Sequence, residues 1–181
     1  MNRTIFISGT PCTGKTTVSE ILASRLNCRL IKINDLAIEN DLVLGIDDDK
    51  GYKIIDIDAL DELVLRIIES GEEMLIFEGH LSHLCHGADS VIVLRVRPEI
   101  LKERLKARDY SQSKIRENLE AEAMGVCSAE AYEIYGDDVF EIDASDLSIE
   151  KTADRIAGFI SGDEIFSFGE IDFMDWIISS D

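Results

Sequence analysis

The chain has 181 residues, of which 45% are hydrophobic, and a formal net charge of −19. This length supports one well-packed core, so we expect a single domain and exclude a second full one. The negative charge argues against direct nucleic-acid binding, which normally depends on basic patches; it is typical of a solvated surface adapted to salt or heat, or alternatively of a face for a basic partner.

The first informative segment is a phosphate loop. Residues Gly9 to Thr16 match the complete pattern G-x-x-x-x-G-K-T and follow an apolar run, Ile5 to Ile7, that predicts a strand. A loop between a buried strand and a helix directs several backbone N–H groups to one point, where phosphate binds. We expect Lys15 to reach the outer phosphates and the hydroxyl of Thr16 to contact a nucleotide-bound Mg²⁺ ion. The sequence therefore predicts a nucleoside triphosphate site here, rather than a glycine-rich turn that binds nothing.

Hydrophobic periodicity beyond the loop predicts alternating helices and strands. The predicted elements, in order, are a helix carrying Val18, Ile21, Leu22 and Leu26, a strand from Arg29 to Ile33, a helical turn from Asp35 to Asn40, a loop from Asp47 to Gly51, a helix from the N-cap Asp58 to Gly71, strands from Met74 to Phe77 and from Ser90 to Leu94, a helix from Pro98 to about Ala107, a hinge from Arg108 to Ser111, a long helix from Ser113 to Tyr135, a strand from Val139 to Ile142, and a helix carrying Ile149, Ala153, Ile156, Ala157 and Ile160. This alternation predicts a three-layer α/β/α domain with a mostly parallel sheet, whose ligands bind beyond the carboxyl ends of the strands.

The cysteine pattern indicates a reducing environment. Cys12, Cys28, Cys85 and Cys127 are widely spaced and include no C-x-x-C pair, and no signal peptide precedes the first strand. We therefore expect no structural disulfide and a cytoplasmic location. No apolar stretch approaches the length of a bilayer span, so no membrane partner is expected.

Phosphoryl transfer requires fixed positive groups, which directs attention to the arginines. Arg95 ends the strand that begins at Ser90, and Arg108 lies at the hinge. We predict that both bind phosphate, because a guanidinium group contacts phosphate oxygens in pairs and closing lids bring such groups in. Arg104 and Arg97 are interpreted as parts of a solvated surface.

The segment from Glu78 to His80 follows a predicted strand end, which places it near the phosphates. A carboxylate there usually steadies Mg²⁺ or its waters, so we assign this role to Glu78 and a water- or phosphate-orienting role to His80. His83 and His86 lie close by together with Cys85, which raises zinc binding as an alternative. Their spacing matches no common zinc pattern.

The C-terminal residues from 163 onward are predicted to be an extension of the domain, with two alternative roles. Phe166, Phe168, Phe173 and Trp176 are concentrated there. We expect them to pack on the domain, because large apolar residues usually cover a sheet or helix; a docking peptide is the alternative.

Several motifs together resemble one family. They are the loop from Gly9 to Thr17, Asp35-Leu36-Ala37, Gly45-Ile46-Asp47, the pair Glu78-x-His80, Val93-Leu94-Arg95, and the string Arg108-x-Tyr110-Ser111-x-x-Lys114-Ile115-x-x-Asn118-Leu119-x-x-Glu122. In this order and spacing they are similar to adenylate kinase isoenzyme 6 and its archaeal relatives. The resemblance covers nearly the whole chain and leaves out mainly the residues after Gly162.

This resemblance implies a P-loop NTPase fold with a five-stranded, mostly parallel sheet, formed by one kinase domain over residues 1–162. It implies a nucleoside-monophosphate kinase with ATPase activity that uses ATP and Mg²⁺ and assists maturation of the small ribosomal subunit by binding one of its proteins. The acceptor segment would be about residues 32–55 and the lid about residues 107–117, with Arg108 on ATP. The residues implied to hold the ATP phosphates are Gly14, Lys15, Thr16 and Thr17, with Cys12 at a further loop position.

Three residues depart from the family pattern. Cys12 stands where eukaryotic members have glycine, which constrains the backbone but keeps the N–H group. Glu78 replaces an aspartate, so its carboxylate lies one methylene further out. Ile38 stands where some members have an acceptor-binding arginine, which makes AMP preference uncertain and broad acceptor use plausible.

The sequence therefore predicts transfer of the ATP γ-phosphate to a nucleoside monophosphate, with Lys15, Arg95 and Arg108 stabilising charge. An ATPase that releases a ribosomal protein, with residual kinase activity, is the main alternative. A kinase for a small non-nucleotide acceptor is a third, and the string from Arg108 to Glu122 argues against it.

Overall fold

The computed structural model describes residues 3–47, 51–71 and 73–180. Its strands are β1 (Thr4–Ser8), β2 (Arg29–Lys32), β3 (Val43–Ile46), β4 (Lys53–Ile55), β5 (Leu75–Glu78), β6 (Ser90–Arg95) and β7 (Val139–Asp143). Its α-helices are α1 (Lys15–Leu26), α2 (Ile33–Glu39), α3 (Ile57–Ser70), α4 (Pro98–Lys106), α5 (Gln112–Ala123), α6 (Val126–Tyr135), α7 (Ile149–Ser161) and α8 (Met174–Ser180), with short 3-10 helices at Ser82–Leu84 and Gly136–Asp138. Within the described ranges, no helix is both long enough and apolar enough to cross a membrane.

Five strands form one parallel sheet in the order β2-β5-β1-β6-β7. Strands β1, β5 and β6 are buried along their whole length, because helices cover both faces of the sheet. This arrangement confirms the predicted three-layer α/β fold. It also brings the ends of β1, β5 and β6 to one edge, where the predicted site residues follow.

The two faces of the sheet have separate cores. Phe6 of β1 points into a cluster that includes Leu60 and Val64 of α3. Its neighbours Ile5 and Ile7 point the other way, into a cluster with residues of α1 and α7. This alternation follows from the two-residue period of a strand, and it explains why a doubly covered strand reads as a continuous apolar run.

Three helix boundaries differ from the predictions. Helix α2 begins at Ile33, two residues before the predicted Asp35. Helix α3 has Asp56 as its N-cap, not Asp58, because the Asp56 carboxylate accepts a hydrogen bond from the backbone N–H of Ala59 at 3.1 Å. The single long helix predicted from Ser113 to Tyr135 is wrong. Helices α5 and α6 are separate there because Gly125 has a φ of 66°.

The segment between α2 and α3 contains an antiparallel hairpin formed by β3 and β4, which the sequence did not predict. Leu44, Ile46 and Ile54 of the hairpin are exposed, so the strands lack the buried alternation that identifies a strand. Of the loop predicted from Asp47 to Gly51, residues 48–50 lie outside the described residues.

The C-terminal extension packs on the domain at several points. Phe166 is 6% exposed and stacks on Phe159 of α7, with 5.0 Å between the ring centroids. Phe168 stacks on Tyr132 of α6 at 4.5 Å. Trp176, in the unpredicted helix α8, packs against the cluster formed by α4 and α5. These contacts agree with the packing interpretation of the extension.

Candidate active site

The phosphate loop leaves the carboxyl end of β1 and enters α1 at Lys15. Two of its residues require glycine. Gly9 has a φ of 135°, and a Cβ atom there would lie 2.4 Å from the carbonyl oxygen of Leu94; Gly14 has a φ of 104°. The loop therefore adopts a backbone that other residues rarely allow, next to the start of a helix that favours anions.

Cys12 has a φ of 70° without being glycine, so this departure from the family pattern is accommodated in the left-handed region. Burial raises the pKa of its thiol, and the charges of Arg108, Lys15 and Arg104 counteract that effect. Of these three cations, Lys15 and Arg104 also donate hydrogen bonds to carbonyl oxygens of the loop.

Lys15 is buried in the loop, with 7% of the residue exposed. Its Nζ donates a hydrogen bond to the carbonyl oxygen of Thr10 at 2.9 Å. Burial lowers the pKa of Lys15, whereas Cys127, Glu78 and Glu122 act in the opposite direction. A bound phosphate would stabilise the charged form of Lys15, which burial disfavours.

Thr16 and Glu78 form the part of the site that fits Mg²⁺. The Thr16 hydroxyl lies 3.2 and 3.3 Å from the two carboxylate oxygens of Glu78, which ends β5. Burial raises the pKa of Glu78, and Lys15 counteracts it. A hydroxyl and a carboxylate suit Mg²⁺, which typically binds one or two protein oxygens and takes its other ligands from water and substrate phosphate. Thr17 lies exposed in the first turn of α1.

His80 lies two residues after Glu78 and lines two neighbouring cavities. Burial is the main reason that its pKa falls to about 4, with further contributions from Lys15 and His83. The imidazole is therefore neutral at neutral pH. It can donate one hydrogen bond and accept another, as a residue that orients a water or phosphate oxygen must.

The two cavities share Tyr52, His80 and Leu81. The first measures about 350 Å³ and is otherwise lined by Asn34, Ile38, Gly51, Lys53, Ile55, Tyr110 and Lys114. The second measures about 340 Å³ and includes Thr10 and Pro11 of the phosphate loop among its lining residues. The predicted acceptor segment and the phosphate loop thus open onto adjoining spaces on the two sides of His80.

The predicted lid, residues 107–117, lies against the hairpin through two contacts. Lys114 places its Nζ 4.3 Å from the centroid of the Tyr52 ring. Asn118, just beyond the lid, donates to the Tyr52 hydroxyl at 3.2 Å. Arg108 is exposed, and its side chain forms no hydrogen bond or ion pair with any other described residue. Neither Tyr52 nor Lys114 received an individual role from the sequence, because a contact between distant segments leaves no local pattern.

Arg95 requires a correction, because it is not available as a phosphate clamp. It is 3% exposed, and its guanidinium group is bound by Glu122 at 3.0 Å and by Glu141 at 2.5 Å. Its second terminal nitrogen donates to the backbone oxygen of Glu122 at 2.8 Å. The position at a strand end suggested exposure to ligand, but buried carboxylates from two other elements occupy the group.

Arg104 also differs from the prediction of a solvated face. It is partly buried, and its NH1 atom donates to the carbonyl oxygens of Cys12 and Thr13 at 3.4 and 3.2 Å. Arg104 therefore braces the phosphate loop from α4. Arg97 is exposed and pairs with Asp146, as expected of a surface residue.

The histidines and Cys85 are held by separate partners and do not converge on one point. His83 binds Ser8 at 2.6 Å and Glu130 at 2.9 Å, His86 binds Asp61 at 2.9 Å, and the fully buried Cys85 has a thiol pKa that burial raises to about 12. Nowhere in the described part of the chain do three His, Cys, Asp or Glu residues form a metal-binding group.

The fold and the loop together define a P-loop kinase architecture. Similar solved structures are shikimate kinase from Acinetobacter baumannii in complex with shikimate, with a TM-score of 0.65, 14% identity and coverage of 91% of this chain and 96% of that one, and shikimate kinase from Bacteroides thetaiotaomicron, with a TM-score of 0.57, 18% identity and coverage of 88% and 98%. At these identities the likeness concerns the fold alone.

Sequence relatives are much closer. Proteins with the name "Putative adenylate kinase" are 41% identical in Methanothermobacter thermautotrophicus, covering 96% of this chain and 99% of the relative, and 41% identical in Methanosarcina barkeri, covering 96% and 98%. A family model described as an AAA domain matches residues 5–125. The chain belongs to this family of archaeal P-loop proteins, which confirms the resemblance inferred from the motifs.

Proposed function

We propose that this protein is an ATP:nucleoside-monophosphate phosphotransferase that moves the γ-phosphate of ATP to a monophosphate acceptor. The observation that carries the proposal is the pair of adjoining cavities that share His80, because Thr10 and Pro11 of the phosphate loop border one, while residues of the acceptor segment and lid line the other. Donor and acceptor phosphates bound in these two spaces would meet beside His80. The names of the archaeal relatives support the same activity.

The roles in this proposal follow from position and charge. Backbone N–H groups from Cys12 to Thr17 and the Lys15 ammonium would hold the ATP phosphates. Thr16 and Glu78 would hold Mg²⁺, which neutralises charge on the phosphate oxygens when bound. Arg108 is exposed, and its side chain is bound by no other described residue, so we assign it to the triphosphate after lid closure.

The acceptor cleft supports broad use of monophosphates. Ile38 lines it where an arginine would read a specific base or phosphate, and Tyr52 offers an aromatic surface on which any base can stack. We therefore propose that the enzyme distinguishes acceptors weakly, since stacking alone discriminates little between bases.

The proposal is tested by incubating the protein with ATP, Mg²⁺ and each of AMP, CMP, UMP and GMP in turn. Diphosphate products should appear for at least one acceptor, and Lys15→Met should reduce their formation at least about 100-fold, since it removes a charge that acts on the transferred group. Lys102→Met, an exposed lysine on α4, is the matched control. Absence of any acceptor-derived diphosphate above the hydrolysis background would reject the proposal.

A second candidate is an ATPase that acts on assembly of the small ribosomal subunit through one of its proteins. The net charge of −19 favours it, because an acidic surface attracts a basic ribosomal protein. Pull-down of such a protein, together with a change in ATP turnover on its addition, would support this role. Unchanged turnover and no binding at low salt would count against it.

A further inference from the structure

Glu122 is a buried carboxylate that joins three separate parts of the molecule. It lies on α5 and is 2% exposed. One carboxylate oxygen accepts hydrogen bonds from Arg95 Nε at 3.0 Å and from the backbone N–H of Val96 at 2.9 Å. The other accepts the hydroxyl of Thr10 in the phosphate loop. These three donors offset much of the cost of burying the charge.

Thr10 connects this carboxylate to the functional lysine. The residue is 2% exposed. Its carbonyl oxygen accepts hydrogen bonds from Lys15 Nζ at 2.9 Å and from the Thr13 hydroxyl at 3.0 Å. The hydroxyl bond to Glu122 restricts rotation of Thr10 and so fixes the direction of that carbonyl. A substitution of Glu122 would therefore affect the position of Lys15 through one residue, Thr10.

Glu122 is itself held from the opposite side. Arg95 bridges it to Glu141 of β7, and the second carboxylate oxygen of Glu141 accepts the backbone N–H of Gly169 at 2.8 Å. The Phe173 ring lies 5.2 Å from the Arg95 guanidinium carbon. The network thus extends from the exposed Gly169 of the C-terminal extension, through the buried side chains of Glu141, Arg95 and Glu122, to the phosphate loop.

We propose that Glu122 is a positioning residue of the phosphate loop, which presets Lys15 for ATP by fixing Thr10. The inference rests on the proposed function only in so far as ATP is the nucleotide bound. Glu122 touches no substrate in this scheme and acts entirely through the loop. Its carboxylate accepts the hydrogen bond of the Thr10 hydroxyl. A neutral side chain in the same place would weaken that bond, and an apolar one would remove it.

The test is calorimetric titration with Mg-ATP, without any acceptor. Thr10→Val removes the hydroxyl at constant shape and should weaken ATP binding about tenfold, as expected for the loss of one orienting hydrogen bond. Thr10→Ser retains the hydroxyl and should stay within about twofold of the wild type, since the bond can re-form. Glu122→Gln should weaken ATP binding at least as much as Thr10→Val, because it also weakens the contact with Arg95. The double variant should bind no more weakly than Glu122→Gln, because both changes affect the same contact between Thr10 and Glu122.

Glu120→Gln is the matched control, because Glu120 lies on the same helix and pairs at the surface with Arg116. Melting temperatures measured alongside separate a loss of stability from a loss of affinity. The proposal would be overturned if Thr10→Val bound Mg-ATP with wild-type affinity. It would also be overturned if the double variant lost affinity by the product of the two single losses. If Glu122→Gln does not fold, the comparison of valine with serine at position 10 decides alone. ATP binding requires no acceptor, so this outcome is independent of whether phosphate is transferred.

Discussion

Lys15 and Glu78 show how single residues prepare the site for its ligand. Both are buried, and burial moves the pKa of each towards the neutral form, downwards for the lysine and upwards for the glutamate. Each charge partly compensates the other. A triphosphate would supply a counter-charge to Lys15, and a Mg²⁺ ion would supply one to Glu78. Part of the binding free energy would therefore come from offsetting the cost of burying these two charges.

His80 gives a pH-dependent prediction at this scale. Its pKa of about 4 in the folded protein lies below the ordinary value of 6.5. Between these values the unfolded chain binds a proton that the folded protein does not, so stability falls as the pH decreases from 6.5 towards 4. Chemical unfolding at pH 7 and pH 5 should show a smaller loss in His80→Gln than in the wild type, by about 2 kcal/mol. Parallel pH profiles would contradict the assignment.

The arginines show what residue-level sequence reasoning misses. The local sequence from Gly9 to Thr16 determines the backbone of the loop, so the positions of Lys15 and Thr16 in the loop could be predicted from the sequence. Arg95 and Arg104 could not, because their roles depend on which carboxylates and carbonyls the fold brings within reach. Glu122 was part of the family string, yet its contact with Thr10 spans 112 residues of sequence and leaves no local signal.

At the scale of elements, the proposed lid and the hairpin lie on two sides of the cavity that we propose as the acceptor cleft. Lys114 and Asn118 contact Tyr52 across it, and Arg108 lies exposed at the turn before α5. Such an arrangement allows residues 107–111 to move while α5 stays packed. Arg108 would then move with this turn towards the phosphates.

Arg108→Ala tests this role of the lid. The variant should fold normally and lose about 100-fold in kcat/KM for ATP, at the lower end of the range for one lost charge-stabilising donor. Arg97→Ala is the control, because Arg97 is an exposed arginine that pairs with Asp146. Steady-state kinetics that show equal activities for the two variants would exclude Arg108 from the site.

The elements of the sheet were predictable because doubly covered strands have continuous apolar sequences and amphipathic helices a 3.6-residue period. The hairpin was not, since Leu44 and Ile46 are exposed and its pairing depends on contacts outside each strand. The break between α5 and α6 depends on one glycine, Gly125, in an otherwise helical sequence. Local patterns thus identify elements that bury a face and miss those defined by a single backbone angle.

At the scale of the whole molecule, the C-terminal extension is part of the folded unit. It closes one core through Phe166 and reaches the buried network through Gly169 and Phe173. The extension therefore contributes to stability over a region much larger than its own length. Its sequence alone indicated apolar character but not where each ring would lie.

Phe166→Ala should destabilise the protein by about 3 kcal/mol, in line with large-to-small substitutions in a core. Ile165→Ala provides a neighbouring control, because Ile165 is 92% exposed and its loss should cost within about 0.5 kcal/mol. Urea unfolding followed by circular dichroism measures both. Equal stabilities for the two variants would show that the extension does not pack on the core as described.

The central claim is that the phosphate loop and the acceptor cleft together transfer a phosphoryl group. The most direct measurement is a single-turnover reaction of ATP labelled on the γ-phosphate with excess acceptor, followed by separation of the products. The account predicts that most of the label appears in a nucleoside diphosphate and that Lys15→Met removes this product. Release of the label only as inorganic phosphate, with every monophosphate tested, would contradict it.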